Sequence, residues 1–440
     1  MGGGRRGVPM GGGLGVMLLA VALGSLAIVG DTGSGQRSLS TVPAGPVDRC
    51  GPSWVAAWQA SPQAVPPTES LAGRTLRMIV RPQVTGSQVR VRLSNRFGTT
   101  PLAVGPVSAA RAGSGAALVS GTVTPVAFAG RSDAVVAPGA ELVSDPVAVV
   151  AEAGRPIAVS LVLASTPDVV AEHPVALQTS YLSGSGDFSL DAGGAAFATP
   201  VGSWMVLTGV DVLAPRPVNA LVAMGDSITD GVGSGLDTDS RWSDALSDRL
   251  ARRGGAAAMA VLNAGISRNE LLADRGQVGG ESPLVRIGRE VAEVPGATDV
   301  VLHIGTNDIA AGRSGPEVVD GLVRFAELAR AAGKRVFLTT ITPSDAGPHG
   351  TAHAAAAREQ INRWVRERGP EHADGVFDFA AAVADPVRPT RLRDRYDSGD
   401  GLHLSEAGYR ALANAVDVTR ISGSPCLGDS GPARVALSDD

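Results

Sequence analysis

Two segments carry the residues best suited to chemistry: Met224-Gly225-Asp226-Ser227-Ile228-Thr229-Asp230-Gly231, and, far along the chain, Asp400-Gly401-Leu402-His403. A serine hydroxyl is a weak nucleophile at its own pKa and needs a base within hydrogen-bond reach. A histidine serves when a carboxylate holds it in one tautomer, and Asp400 and His403 are close enough in sequence to share one turn of loop. Two more segments, Asn263-Ala264-Gly265-Ile266-Ser267 and Gly305-Thr306-Asn307-Asp308, offer backbone N–H groups and a side-chain amide. Such donors are what a tetrahedral oxyanion requires. The expected machinery is Ser227 as nucleophile, His403 as general base and Asp400 behind it. The oxyanion would be held by the N–H groups of Ser227 and Gly265 and the side chain of Asn307. That is two-step acyl transfer, and it needs neither a metal nor an organic cofactor.

Something must bring these segments together. From Pro215-Arg216-Pro217 onward, apolar runs expected as strands (Val218–Met224, Ala258–Asn263, Val300–Ile304, Arg335–Ile341, Val376–Phe379) alternate with helical stretches at Arg241–Arg253 and near 281–294, 316–332 and 352–367. A last helix follows Leu404. Alternating apolar strands and helices predict a parallel sheet covered on both faces. In such sheets ligands gather at the carboxyl ends of the strands. Each chemical segment lies at a strand end or in a neighbouring loop, so one cleft can collect them all.

These four blocks, in this order, resemble the SGNH/GDSL hydrolase family, over about residues 218–420. The resemblance implies a flavodoxin-like three-layer α/β/α sandwich with a parallel sheet. It implies Ser227 as nucleophile, Gly265 and Asn307 as the matching glycine and asparagine, and Asp400 and His403 as the D-x-x-H pair. One departure is that the second block reads NAGIS, without a further glycine at its end. A second Gly-Asp-Ser, at 428–430, follows no buried strand and reads as chance. The chain has no G-x-S-x-G, which argues against the α/β-hydrolase elbow.

Residues 50–214 have a different grammar. Ser87–Asn95 alternates Val89, Val91 and Leu93 with polar residues, the period of a half-buried strand. Short runs at Thr75–Val80, Val147–Val150, Ile157–Leu163 and Trp204–Leu213, separated by turn residues, predict an all-β sandwich or jelly-roll-like domain. It also resembles the accessory domain that precedes this module in some secreted bacterial members. Trp54, Trp58 and Trp204 are expected to pack where the sheet closes. The domain is read as a structural partner that narrows the cleft in preference to a carbohydrate-binding module, because fold analogy assigns no ligand.

The remaining signals bound the class. Arg5 and Arg6 precede an apolar run, Leu14–Val29, that is shorter than the ~20 residues needed to span a bilayer. Residues 1–35 therefore read as a signal peptide or signal anchor, with a linker at 36–49, a catalytic domain at 215–425 and a polar tail at 426–440. The protein is expected outside the cell, and on a membrane only if the N-terminal segment stays uncleaved. Cys50 and Cys426 bracket the folded region, which favours a disulfide over two separate thiols in an exported protein. A net charge of −5 over 440 residues argues against nucleic acid as a partner.

Other candidates have plainer readings. His303 reads as a hydrogen-bonded structural histidine. His349 and His353 have i, i+4 spacing but lack a third metal ligand. Asp226 is expected to shape the nucleophile turn and Asp230 to cap or line the next loop, not to form a glycosidase pair. The expected function is hydrolysis of small acyl esters, with acetylated polysaccharide one substrate class and lipid the alternative. The rival from another class is a carbohydrate-binding protein with a relic hydrolase domain, and the complete Ser227, His403 and Asp400 set argues against it.

Overall fold

Along each strand of the C-terminal half, alternate side chains enter two different buried cores. Leu221, Ala223, Val261, Val301 and Phe337 enter one, and Ala220, Val222, Met224, Leu262, Val300 and Leu338 enter the other. Strands apolar on both faces build a parallel sheet covered on both sides. The computed structural model describes residues 1–2 and 50–427. The expected export segment at 3–35, the linker at 36–49 and the second Gly-Asp-Ser lie outside the described residues.

The parallel strands are β1 (Asn219–Gly225), β2 (Met259–Gly265), β3 (Ala297–His303), β4 (Arg335–Thr339) and β5 (Gly375–Phe377), in the order β2-β1-β3-β4-β5. Helix α1 (Ser227–Asp230) follows β1 directly, and α2 (Trp242–Arg253) leads to β2. Beyond β2 come α3 (Pro283–Ile287), α4 (Thr306–Ala310), α5 (Gly315–Ala331), α6 (Ala352–Glu367) and finally α7 (Glu406–Ala415). One face is covered by α2 and α7 through Trp242, Leu246, Leu250, Tyr409 and Leu412. The other is covered by α3, α5 and α6 through Ile287, Val318, Leu322, Phe325 and Ile361. Helix α5 shows how local sequence builds such an element. Ser314 and Glu317 form a capping box, Pro316 lies in the first turn, and Val318, Leu322, Phe325 and Ala329 make the buried stripe.

The order places β2 on one side of β1 and β3 on the other, so the chain reverses its winding at β1. A crevice opens where the strand order reverses. Each of the five strands lies within about three residues of its expected span. The helix expected near 281–294 is instead α3 followed by a π-helical turn at Gly288–Ala292.

The N-terminal half is antiparallel. Ser53–Gln59, Leu207–Ala214, Val89–Ser94 and Glu141–Val143 form one sheet, and a larger one centres on Arg74–Val80, Ile157–Leu163 and Leu102–Arg111. Their inward side chains, including Val89, Val91, Leu76, Met78 and Leu161, share one core, as in a sandwich. Two expectations need correction. Val147–Val150 contributes only an isolated bridge, Val89 to Val147. Trp204–Leu213 is broken at Val206, whose φ of 66° no strand tolerates. Trp204–Met205 consequently pairs with Val170–His173, while Leu207–Ala214 joins the other sheet. Trp58 and Trp204 meet edge to face at 4.9 Å, whereas Trp54 lies beneath the Arg90 guanidinium at 4.0 Å.

The two halves share apolar core. Val55 and Ala57 of the first strand bury in the same cluster as Ala260, Leu262 and Val291, and the Ala56 N–H donates to the Pro295 carbonyl at 2.9 Å. Cys50 and Cys426 are joined by a disulfide.

Candidate active site

At the carboxyl end of β1 the chain turns straight into α1. A Cβ on Gly225 would lie 2.2 Å from the His303 carbonyl oxygen and 2.4 Å from Thr229 Oγ1, so only glycine permits the turn. Asp226 caps α1 by accepting the Ile228 N–H at 3.0 Å. Ser227 is then the first helical residue, with its Oγ 2.9 Å from His403 Nε2. His403 Nδ1 lies 2.6 Å from Asp400 Oδ2, and Asp400 Oδ1 accepts the N–H groups of Leu402 and His403 at 2.9 and 2.8 Å. Partial burial works to raise the Asp400 carboxyl, but these hydrogen bonds prevail and hold it at about 2. It stays ionised and accepts the His403 Nδ1–H, which leaves Nε2 facing Ser227. The Tyr409 hydroxyl donates to the Val232 carbonyl at 2.6 Å, tying α7 to the loop after α1.

Ser227, His403 and Asn307 line one cleft of about 650 Å³, together with Arg268, His349 and Val278. The antiparallel half supplies part of its wall through Gln63, Pro174 and Val175. Asn307, in the first turn of α4, donates its side-chain N–H to the Asn269 carbonyl at 2.9 Å. Asp308 accepts the N–H groups of Leu271 and Leu272, each at 2.9 Å, and so holds the loop that carries Asn269.

Residues 223–411 match the GDSL-like lipase/acylhydrolase family. These residues form a GDSL-like domain. Solved structures similar to the GDSL segment include a lipase/acylhydrolase from Enterococcus faecalis, 25% identical, covering 46% of this chain and 95% of that one with a TM-score of 0.37. A carbohydrate acetylesterase from Sinorhizobium meliloti is 17% identical, covering 45% of this chain and 95% of its own, with a TM-score of 0.36. An aryl esterase from M. smegmatis is 20% identical, with coverage of 45% and 95% and a TM-score of 0.34. No curated protein matches the chain.

The expected role of Gly265 needs correction. Its N–H donates to Asn263 Oδ1 at 2.8 Å, and a Cβ there would lie 2.2 Å from the Asp230 nitrogen. Gly265 therefore lets β2 pack against α1, and it does not line the cleft. The next turn of the loop reaches it instead. Ile266 and Ser267 spend their N–H groups on the Gly225 carbonyl and Asp230 Oδ2, while the N–H groups of Arg268 and Ser227 have no acceptor among the described residues. Arg268 sits at φ 64°, a conformation that costs a non-glycine residue about 1–2 kcal/mol. No sequence signal marks it, since arginine rarely adopts that region.

Arg286 was also invisible in the sequence. Its fully buried guanidinium contacts the Gly225 and Ala264 carbonyls at the ends of β1 and β2, at 3.3 and 2.7 Å. It also reaches Asn269 Oδ1 at 3.0 Å and Glu290 Oε2 at 2.5 Å. Burial works to raise the Glu290 carboxyl, but the charges of Arg286 and Arg289 prevail and lower it.

Three other histidines of the GDSL domain take no part in the hydrogen bonds that join Ser227, His403 and Asp400. His303 is buried against Thr339 Oγ1 at 2.7 Å, and burial lowers it to about 3, so it is a neutral structural group. His349 stands in a short turn at Gly347–Gly350 and His353 in α6, where its Nε2 lies 3.1 Å from the Arg313 carbonyl. Among the described residues no group of His, Cys, Asp or Glu is arranged to hold a metal ion.

Asp226 and Asp230 do not face each other across the cleft as a glycosidase pair would. Asp226 is buried, its Oδ2 has no partner among the described residues, and burial, with help from the Asp308 and Asp230 charges, raises its carboxyl to about 7. Ionising it therefore costs stability. The stability present below about pH 4 is lost as the pH rises through about 7, and the loss amounts to at most about 4 kcal/mol. Asp226→Asn keeps the Oδ1 acceptor and removes this dependence. The gap between urea midpoints at pH 5 and pH 8.5 should be smaller in the variant than in the native chain.

Proposed function

We propose that this chain is a secreted serine carboxylester hydrolase in which Ser227 attacks the ester carbonyl as His403 takes its proton. The observation that carries this reading is the unbroken series of hydrogen bonds from Asp400 through His403 to Ser227, at a cleft in a GDSL domain. Asp400 stabilises the imidazolium, and the acyl-enzyme is released when His403 activates water. The oxyanion is held by the Ser227 N–H and the Asn307 amide, with the unsatisfied N–H of Arg268 in the place first expected of Gly265. Asn307→Ala should lower kcat on the order of 10²–10³-fold, as loss of an oxyanion donor does. The side chain is aimed by Asn269 before substrate arrives, so KM should change little. Steady-state kinetics on p-nitrophenyl acetate checks this, and a variant at the native rate removes Asn307 from the site.

The substrate reading is a small acyl ester, acetyl groups on polysaccharide being the leading class. The antiparallel half (50–214) would act by shaping the cleft of the catalytic half (215–425), through Gln63, Pro174 and Val175. Export is supported by the basic start and apolar run at the N-terminus, and a disulfide such as Cys50–Cys426 persists in oxidising compartments. No helix among the described residues is long and apolar enough to cross a membrane. A series of p-nitrophenyl esters tests the substrate class. Turnover falling steeply beyond acetyl and butyryl supports the small-acyl reading. Turnover that rises with chain length moves lipid esters ahead.

A further inference from the structure

His173 closes the strand Val170–His173 of the antiparallel half, and its side chain is buried directly behind the nucleophile helix. Its Nδ1 lies 2.9 Å from the Ser61 carbonyl, and its Nε2 lies 3.0 Å from Asp230 Oδ1 and 3.2 Å from the Val175 carbonyl. All three partners only accept hydrogen bonds. Both ring nitrogens must then carry a proton, which makes the ring an imidazolium paired with a buried carboxylate. Asp230 is the last residue of α1, the helix that begins with Ser227. Its other oxygen accepts the Ser267 N–H at 2.8 Å and the Ser267 hydroxyl at 2.6 Å. Ser267 immediately precedes Arg268, which lines the cleft and whose N–H has no acceptor among the described residues.

The charged groups around the ring are Asp230, Arg241 and the neighbouring Glu172. Arg241 donates from Nε to the Asp230 carbonyl at 3.0 Å and pairs with Asp244 at 3.3 Å. The Trp204 ring covers the imidazole at 5.5 Å, and a cavity of only about 40 Å³ adjoins it. The ring and the carboxylate are nearly inaccessible to solvent, and among the described residues no other cation lies against Asp230 Oδ1.

We propose that His173 is a positioning residue of this active site: it holds Asp230, and through Asp230 the Ser267–Arg268 turn, in the geometry that stabilises the oxyanion formed at Ser227. This rests on Ser227 being the nucleophile. The antiparallel half is then part of the catalytic machinery and not a detachable module.

The test uses the full chain, p-nitrophenyl acetate, and titration of Ser227 by a p-nitrophenyl dialkyl phosphate, so that rates are counted per intact site. His173→Gln should lower kcat per titrated site on the order of 10²-fold, the scale set by small misplacements of a catalytic group, with KM nearly unchanged. The double variant His173→Gln/Asp230→Asn replaces the ion pair with a neutral one and should recover part of that loss. The native enzyme should also lose kcat as the pH rises above the ordinary histidine range. There, burial alone would lower the ring's pKa, but Asp230 and the Ser61 carbonyl prevail and raise it. The double variant should lack that alkaline limb. A kcat per titrated site that is native in His173→Gln overturns the proposal, even if thermal stability falls. So does an unaltered alkaline limb in the double variant, should the single one fail to fold. If the phosphate ester does not label Ser227, the nucleophile reading fails and takes this proposal with it.

Discussion

Ser227→Ala is expected to lower kcat/KM for p-nitrophenyl acetate by about 10⁶-fold, with His403→Ala in the same chain costing little more. In the proposed mechanism the two residues act in one proton transfer. Once the hydroxyl is gone the base has nothing to activate, and once the base is gone the hydroxyl stays protonated. The 2.9 Å contact between Ser227 Oγ and His403 Nε2 makes this coupling direct. Residual turnover above the buffer rate should survive in both variants, because the Asn307 amide and the free N–H groups still polarise the carbonyl. Initial rates of the two single variants and the double variant decide the matter. A Ser227→Ala chain within tenfold of the native rate would place the nucleophile elsewhere, and nearly additive losses would mean that the two groups do not share one step.

Arg286→Met should destabilise the fold by about 3–5 kcal/mol, the usual cost of leaving a buried charge without its partner. Arg286 has no exposed side-chain surface, and Glu290, 2.5 Å away, is nearly as deeply buried. Removing the guanidinium leaves Glu290 Oε2 with only the Ser61 hydroxyl, which donates to it at 2.6 Å, while Arg289 holds the other oxygen at 2.8 Å. It further frees the ends of β1 and β2 and the Asn269 side chain, so kcat should fall as well. Urea denaturation read by tryptophan fluorescence measures the stability loss. Arg286→Met/Glu290→Leu, which strands no charge, should recover most of it. If the double variant is no more stable than the single one, the ion pair is not what the guanidinium contributes.

Much of this protein can be read before its structure. The alternation of apolar runs and helical stretches after Pro217 dictates a doubly wound sheet, because strands buried on both faces have few other ways to cover themselves. The reversal at β1 then brings Ser227, Asn307 and His403 to one edge. Asp400 and His403 are three residues apart, and the N–H groups of Leu402 and His403 close on the carboxylate within one turn of loop. Ser227, His403 and Asp400 are legible for that reason: residue type and local geometry coincide.

Other features depend on contacts between distant parts of the chain, and local sequence holds no record of them. Gly265 looked like the oxyanion donor because a glycine at a strand end suggests an available N–H. Only the fold places Asn263 Oδ1 on that N–H and moves the cleft one turn along to Arg268, at a φ that arginine's chemistry does not suggest. Val206 breaks an expected strand by the same kind of long-range demand. Its two flanks are claimed by different sheets. His173 and Arg286 lie 57 and 61 residues from the groups they hold, Asp230 and the Gly225 carbonyl. By itself the sequence determined which residues could do chemistry and which sheet would gather them, since composition and period act locally. The tertiary structure alone decided which N–H groups remain free and which buried charges hold the site, because hydrogen-bond satisfaction is settled only when the whole chain has packed.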